Sequence, residues 1–174
     1  MKQQKSKLIR EIIFAVLALL LICFIFSNSV QSRSESIDQS RALMAFLKPL
    51  LDPHNRISDS TFHHYLRKAA HFTEFAALGF SLMGLSDCLP WKGKKKQRLL
   101  MPLLVSLLVA ATDEIIQIFS PLRGPGASDV LLDFCGAVFG IVCMVALLLL
   151  VQCMGCTFGN CLNDNNRKEK YEEG

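Results

Sequence analysis

The sequence predicts an all-α fold, a polytopic membrane bundle of four transmembrane helices with both termini on the inner side. Two observations predict it. Hydrophobic residues make up 51% of the 174-residue chain, and they fall in long blocks instead of the scattered positions of a soluble domain. Basic residues concentrate at the N-terminus, after the second block and after the fourth block. This is the pattern of a chain that crosses a membrane repeatedly.

Four blocks are long enough to cross the roughly 30 Å of a hydrocarbon core at about 1.5 Å per residue. They cover about residues 8–26, 69–86, 99–119 and 130–152. The second is the shortest and the most polar. The first has the basic start of a signal peptide but lacks a small-residue cleavage site, so we expect it to remain as a span. We therefore expect one membrane domain, 1–152.

The short loops indicate the orientation. Four bases lie within the first ten residues, five lie in the loop 87–98 and three follow residue 152, whereas the loop 120–129 holds only Arg123. Cytoplasmic loops carry the excess of Lys and Arg, so this distribution predicts an N-in, C-in arrangement. The lysine-rich part of loop 87–98 could also be a nucleic-acid patch, but beside a span we expect it to anchor the topology. No nucleic-acid partner is expected.

The first loop, 27–68, is then outside, and the tail 153–174 is cytoplasmic. Within the loop, residues 41–51 have an apolar face typical of a helix at the membrane interface. A turn is expected at residues 52–55, and Ser58 or Asp59 could cap the helix that leads into the second span. The tail is polar, and we expect it to be disordered.

The carboxylates inside the last three spans, and several polar residues beside them, fall near the outer boundary. The second and fourth spans enter from outside and the third leaves towards it, so helical rise places these groups within roughly 10 Å of that boundary. An ionisable residue inside a span is a functional-site hypothesis by default. Arg123, the basic residue of the loop 120–129, is added to this group. The candidate binding residues are therefore Arg67, His71, Glu74, Asp113, Glu114, Gln117, Arg123, Asp129 and Asp133.

Helical spacing places these residues on faces that could meet. Arg67, His71 and Glu74 form one stripe at i, i+4 and i+7. Asp133 shares a stripe with Gly136 and Gly140, whose spacing allows a neighbouring helix to approach closely. The spacing thus predicts that Asp133 points at a helix–helix contact.

The charge of this group is unbalanced, because five acids face three bases and a histidine. Acids so close together cannot all ionise cheaply, so we expect at least one to hold a proton or to face a cation. The alternative is a salt-bridge network that only holds the helices together. If the protein is an enzyme, the candidate catalytic residues are His71, Glu74, Asp113 and Glu114.

The sequence predicts no cofactor and no metal site. It contains no nucleophile elbow, no P-loop and no pair of histidines at helical metal-binding spacing. Cys153, Cys156 and Cys161 provide three thiols with no histidine after them, which is incomplete for a structural zinc site.

Several of these motifs together resemble the VanZ-like family of small bacterial membrane proteins. The matching segments are Arg67-Lys68-x-x-His71-Phe72-x-Glu74, Asp113-Glu114-x-x-Gln117-x-Phe119, Arg123 with Asp129, and Asp133-x-x-Gly136-x-x-x-Gly140. Phe75 stands where many members have Tyr, and Asp133 where others have Asn. The resemblance implies a multi-pass protein of the bacterial cell membrane. It also implies a possible link to resistance against teicoplanin-type glycopeptides, because the founding member is associated with it.

The sequence thus favours an outward-facing polar pocket that binds or modifies a component of the cell envelope. The expected partner is a membrane lipid or a lipid-linked envelope component, and no protein partner can be named. The other functions left open are a membrane enzyme acting on a lipid-linked substrate, an ion carrier, and a structural or assembly protein.

Overall fold

A computed structural model of the chain describes residues 2–30, 43–91, 95–119 and 127–172, and these residues form helices joined by short connections. The all-α prediction is confirmed in this part of the chain. The helices are α1 (Lys2–Val30), α2 (residues 43–51), α3 (Asp59–Cys88), α4 (Lys95–Ile118) and α5 (Ala127–Glu172).

A turn and a cap fix the start of α3, as the sequence predicts. The Asp52 carboxylate accepts hydrogen bonds from the backbone amides of Arg56 and Ile57 at 2.9 and 2.8 Å. These two bonds favour the ionised form and lower the pKa of Asp52. Asn55 adopts a positive φ of 50° within the turn. Ser58 then caps the helix, because its hydroxyl accepts from the amide of Thr61 at 3.3 Å.

The helix α3 lies at the centre of the bundle and packs against α1, α4 and α5. It runs antiparallel to α4 over the full length of that helix. At one end the Ser86 hydroxyl donates to the carbonyl oxygen of Arg98 at 2.6 Å, and at the other end Arg67 donates to Gln117 at 3.3 Å. The core between the helices is formed by apolar side chains such as Phe75 and Leu78, which are fully buried.

Within the described residues, three helical segments are long and apolar enough to cross a membrane: Gln4–Val30, Lys96–Ile118 and Ser128–Cys153. The central helix α3 is not among them, so four spans and the N-in, C-in orientation stay predictions. Composition explains the difference. The outer helices expose large apolar residues such as Leu19, Leu108 and Leu150, whereas the second half of α3, from Phe75 to Cys88, is largely buried against its neighbours and its first half is rich in polar residues.

Two helices are longer than the blocks that predict them. The segment 58–65, expected as a lead-in to the second span, belongs to α3 from Asp59 onward. At the other end of the chain, α5 continues to Glu172, where the sequence predicts a disordered tail. Residues 167–170 of this extension (Arg-Lys-Glu-Lys) have good helix propensity, whereas Gly155, Gly159 and Asn163 before them do not, so composition alone does not account for the helix beyond the apolar segment that ends at Cys153.

Glycines allow α3 and α5 to touch backbone to backbone, as the Gly136-x-x-x-Gly140 spacing predicts. A Cβ atom at Gly140 would lie 1.8 Å from the carbonyl oxygen of Ala76, and one at Gly136 would lie 2.5 Å from that of Phe72. Gly79 makes the reciprocal approach, because a Cβ there would lie 2.1 Å from the carbonyl oxygen of Ala137. Any larger residue would force the two helices apart.

We predict that Gly140→Ala destabilises the bundle, because the added methyl group collides with backbone that cannot rotate away. Overpacking of this kind typically costs about 1–3 kcal/mol. The measurement is the free energy of unfolding in detergent by denaturant titration. Cys135→Ala, at an exposed position of the same helix, is the control and should change little. Equal stability of the Gly140→Ala variant and wild type would contradict this account of the contact.

Candidate functional site

The polar residues gather at one end of the bundle around the carboxylate of Asp113. This side chain has no exposed surface, although it lies in the last turns of an apolar helix. Its Oδ1 accepts a hydrogen bond from the hydroxyl of Ser29, which is also fully buried, near the end of α1. Its Oδ2 accepts from Nε2 of Gln117 at 2.7 Å, one helical turn further along α4. Both carboxylate oxygens are therefore held in place by donors.

The amide of Gln117 extends this network to a third helix. Its Oε1 accepts from the Arg67 guanidinium of α3 at 3.3 Å, and its Nε2 also lies 3.4 Å from the Ser29 hydroxyl. Only 5% of Gln117 is exposed. Because one amide serves both the cation and the carboxylate, Arg67 and Asp113 are fixed relative to each other through a neutral group.

A second carboxylate of α3 is held by α1. Asn28 donates from Nδ2 to Oε1 of Glu74 at 3.1 Å. The other oxygen, Oε2, is buried and has no hydrogen-bond partner among the described residues. Glu74 thus has one oxygen fixed by the protein and one that can still accept a hydrogen bond.

The helix α5 contributes two acids with different surroundings. Asp129 forms an ion pair with Lys68 at 3.0 Å, and about a third of each side chain is exposed (34% and 34%). Asp133, one turn further into the bundle, is only 3% exposed, and its Oδ1 has no hydrogen-bond partner in the described part of the chain. The rim of the cluster is therefore charge-paired, whereas its interior contains a carboxylate oxygen that the described protein groups leave unsatisfied.

Three helices meet at the interior of this polar cluster. One ligand atom each from His71 of α3, Asp113 of α4 and Asp133 of α5 lies within 4.8 Å of the other two. Glu114 is also buried, with 9% of its surface exposed. The site combines buried carboxylates, an imidazole and a guanidinium. Such a set can accept hydrogen bonds from a ligand, hold an anion at its basic rim, or transfer a proton.

The structure brings together the candidate residues of α3, α4 and α5, as the depth of each in its helix predicts. Arg123 lies outside the described residues, so its predicted place beside the acids is not tested. The roles of all these residues in binding or catalysis also stay predictions. Asn28 and Ser29 are not among the candidate binding residues that the sequence predicts. Ser29 enters only through the family resemblance, in which Phe26-Ser27-x-Ser29 is similar to the polar exit of the first span, and no feature of the sequence marks Asn28.

A family model for VanZ/LLP1 matches residues 14–150 of the chain. The chain belongs to the VanZ/LLP1 family. The prediction of a VanZ-like protein is thus confirmed, and the match includes every described member of the polar cluster. Comparisons with curated proteins and with solved structures found no match. Family membership and three apolar helices together indicate a membrane protein.

We predict that Gln117→Leu destabilises this VanZ/LLP1 protein, because Arg67 and Asp113 each lose a buried hydrogen-bond partner. Leaving a buried polar group unsatisfied costs about 1–3 kcal/mol, and more when the group is charged. The free energy of unfolding in detergent is the measurement. The matched control is Gln97→Leu, at an exposed position near the other end of α4. If both variants lose the same stability, the network does not have the importance argued here.

Proposed function

We propose that this protein binds the headgroup of a phosphate-bearing lipid, or of a lipid-linked envelope component, at the outer face of the bacterial cell membrane. The polar cluster is the proposed site. The observation that carries the proposal is an arrangement of two kinds of group. Half-buried basic side chains lie at the rim of the cluster, and buried carboxylates deeper in it have oxygens that can still accept hydrogen bonds. Any contribution to glycopeptide resistance would then act through the ligand bound here.

The two parts of the cluster suit different parts of one headgroup. Arg67 and Lys68 are half-buried at the rim, where a guanidinium and an ammonium can pair with phosphate oxygens. Deeper in the bundle, Glu74 Oε2 and Asp133 Oδ1 can accept hydrogen bonds from hydroxyl or amine groups. A phosphate that carries a hydroxyl- or amine-bearing substituent matches both parts. An uncharged acyl chain matches neither, and would lie instead against the apolar outer helices.

The position of α3 supports four spans. This helix accompanies α4 from Arg98 to Gln117, so a membrane that contains α4 also surrounds α3. Two of its charged residues are compatible with that position because they bind other helices, Arg67 through Gln117 of α4 and Glu74 through Asn28 of α1. With four spans, the basic segments 1–10 and 87–98 share the cytoplasmic side, and the polar cluster faces outward.

Fusions of green fluorescent protein to each end of the full chain test this topology, because the reporter fluoresces in the cytoplasm and not after export by the general secretory route. We predict fluorescence from both the N-terminal and the C-terminal fusion. An even number of spans places both termini on one side, whereas three spans would place them on opposite sides. Fluorescence from only one of the two fusions would therefore contradict four spans.

We further predict that the purified wild-type protein retains a phosphate-bearing lipid and that Arg67→Ala loses most of it. The measurement is native mass spectrometry of the detergent-solubilised protein, followed by identification of the released lipid. Loss of a charge-assisted contact of about 1.5–3 kcal/mol corresponds to a roughly ten- to hundred-fold weaker complex. Arg56→Ala removes an exposed arginine from the loop before α3 and is the matched control.

The same experiment separates binding from a purely structural role. If wild type and Arg67→Ala retain equal amounts of lipid and differ only in thermal stability, the cluster serves to hold the helices and the proposal is wrong. If both arginine variants lose lipid equally, binding is a general charge effect, which also contradicts a specific site.

A further inference from the structure

We propose that His71, Asp113 and Asp133 bind a divalent transition-metal ion, with Zn²⁺ as the best-matched example. The proposal does not depend on lipid binding. The excess of acids in the sequence suggests a cation, and the structure identifies a specific ligand set for it. The three ligands come from three different helices, so they do not form a short sequence motif with metal-ligand spacing.

Geometry is the first support. The three potential ligand atoms lie within 4.8 Å of one another, whereas two ligands on a tetrahedral zinc ion stand about 3.4 Å apart, given bonds of about 2.0–2.1 Å. Small side-chain rotations therefore suffice to close the site. Imidazole nitrogens and carboxylate oxygens are both zinc ligands, and three protein ligands leave a coordination position for water or a ligand.

The second support is the unsatisfied oxygen of Asp133. This side chain is 3% exposed, and its Oδ1 has no hydrogen-bond partner among the described residues. A buried carboxylate oxygen without a donor is costly. A cation between Asp113 and Asp133 would satisfy this oxygen and offset the repulsion between two buried acids.

The hydrogen bonds around Asp113 are those expected of a ligand's supporting residues. Ser29 and Gln117 donate to its two oxygens, and Arg67 holds Gln117 in turn. Each carboxylate oxygen has a second lone pair, so these bonds orient the group without preventing coordination. Supporting contacts of this kind commonly fix metal-binding carboxylates and histidines. The imidazole also favours Zn²⁺ over Ca²⁺, which prefers six to eight oxygen ligands.

The test measures metal directly in the full chain, purified in detergent. Cys153, Cys156 and Cys161 are replaced by serine in every protein tested, including the otherwise unchanged reference chain that is called wild type in this test, so that their thiols cannot contribute. After removal of bound metal with a chelator, Zn²⁺ or Mn²⁺ is added alone, and binding is measured by elemental mass spectrometry and by the shift in Tm. We expect about one ion per wild-type chain, as for a single site.

The informative variants are Asp133→Asn and His71→Gln. Asp113→Asn is avoided because it could prevent folding by disrupting the buried hydrogen bonds from Ser29 and Gln117. Each informative variant should weaken binding by roughly 100-fold or more, and Ser29→Ala by about 10- to 100-fold. Asp87→Asn, at the other end of α3 in a pair with Arg98, is the matched carboxylate control and should bind as wild type does.

Two results would overturn the inference. One is a wild-type protein that binds neither Zn²⁺ nor Mn²⁺ although it is folded, which would mean that the carboxylates are satisfied by protons. The other is undiminished binding by both Asp133→Asn and His71→Gln, which would place any ion elsewhere. Lipid retention measured in the same samples keeps this outcome separate from that of the proposed function.

Discussion

The carboxylate of Asp113 is the group on which the arrangement of this end of the bundle depends. An acid with no exposed surface is tolerated only when other groups replace its lost hydration, and removing one partner from such a group is costly. Ser29 supplies one donor from α1 and Gln117 another from α4 itself. Because Gln117 also binds Arg67, the burial of one carboxylate fixes three helices relative to one another.

The central helix makes this burial possible. The outer helices expose apolar residues and are long enough to span a membrane, whereas α3 carries the polar stripe and is enclosed by them. Gly136 and Gly140 let α5 approach the backbone of α3 at Phe72 and Ala76. That close approach brings Asp133 beside His71, so the glycines shape the site without contacting any ligand.

Much of this arrangement could be predicted from the sequence, because depth in a helix follows from residue number and the rise per residue. The stripe Arg67, His71 and Glu74 was expected near Asp113 on that basis. The rotation of each helix about its axis is set by packing, so the sequence could not show that potential ligand atoms of His71, Asp113 and Asp133 lie within 4.8 Å of one another. The donors Asn28 and Ser29 are not among the predicted binding residues because they are neutral and lie in a helix that has no charged residue from Ile12 to Val30 to mark a site.

The balance of donors and acceptors argues that the cluster does more than hold helices together. A polar cluster that only holds helices together is most stable when every buried acceptor has a donor. Apolar residues often hold helices together as well as buried ion pairs do. Here the rim pair, Lys68 and Asp129, is complete, and so is the shell around Asp113. Glu74 and Asp133, however, each keep a buried oxygen with no partner in the described chain. Since buried acceptors are rarely left unsatisfied, groups from outside the described protein, such as an ion or a headgroup, are the natural complement of these two oxygens.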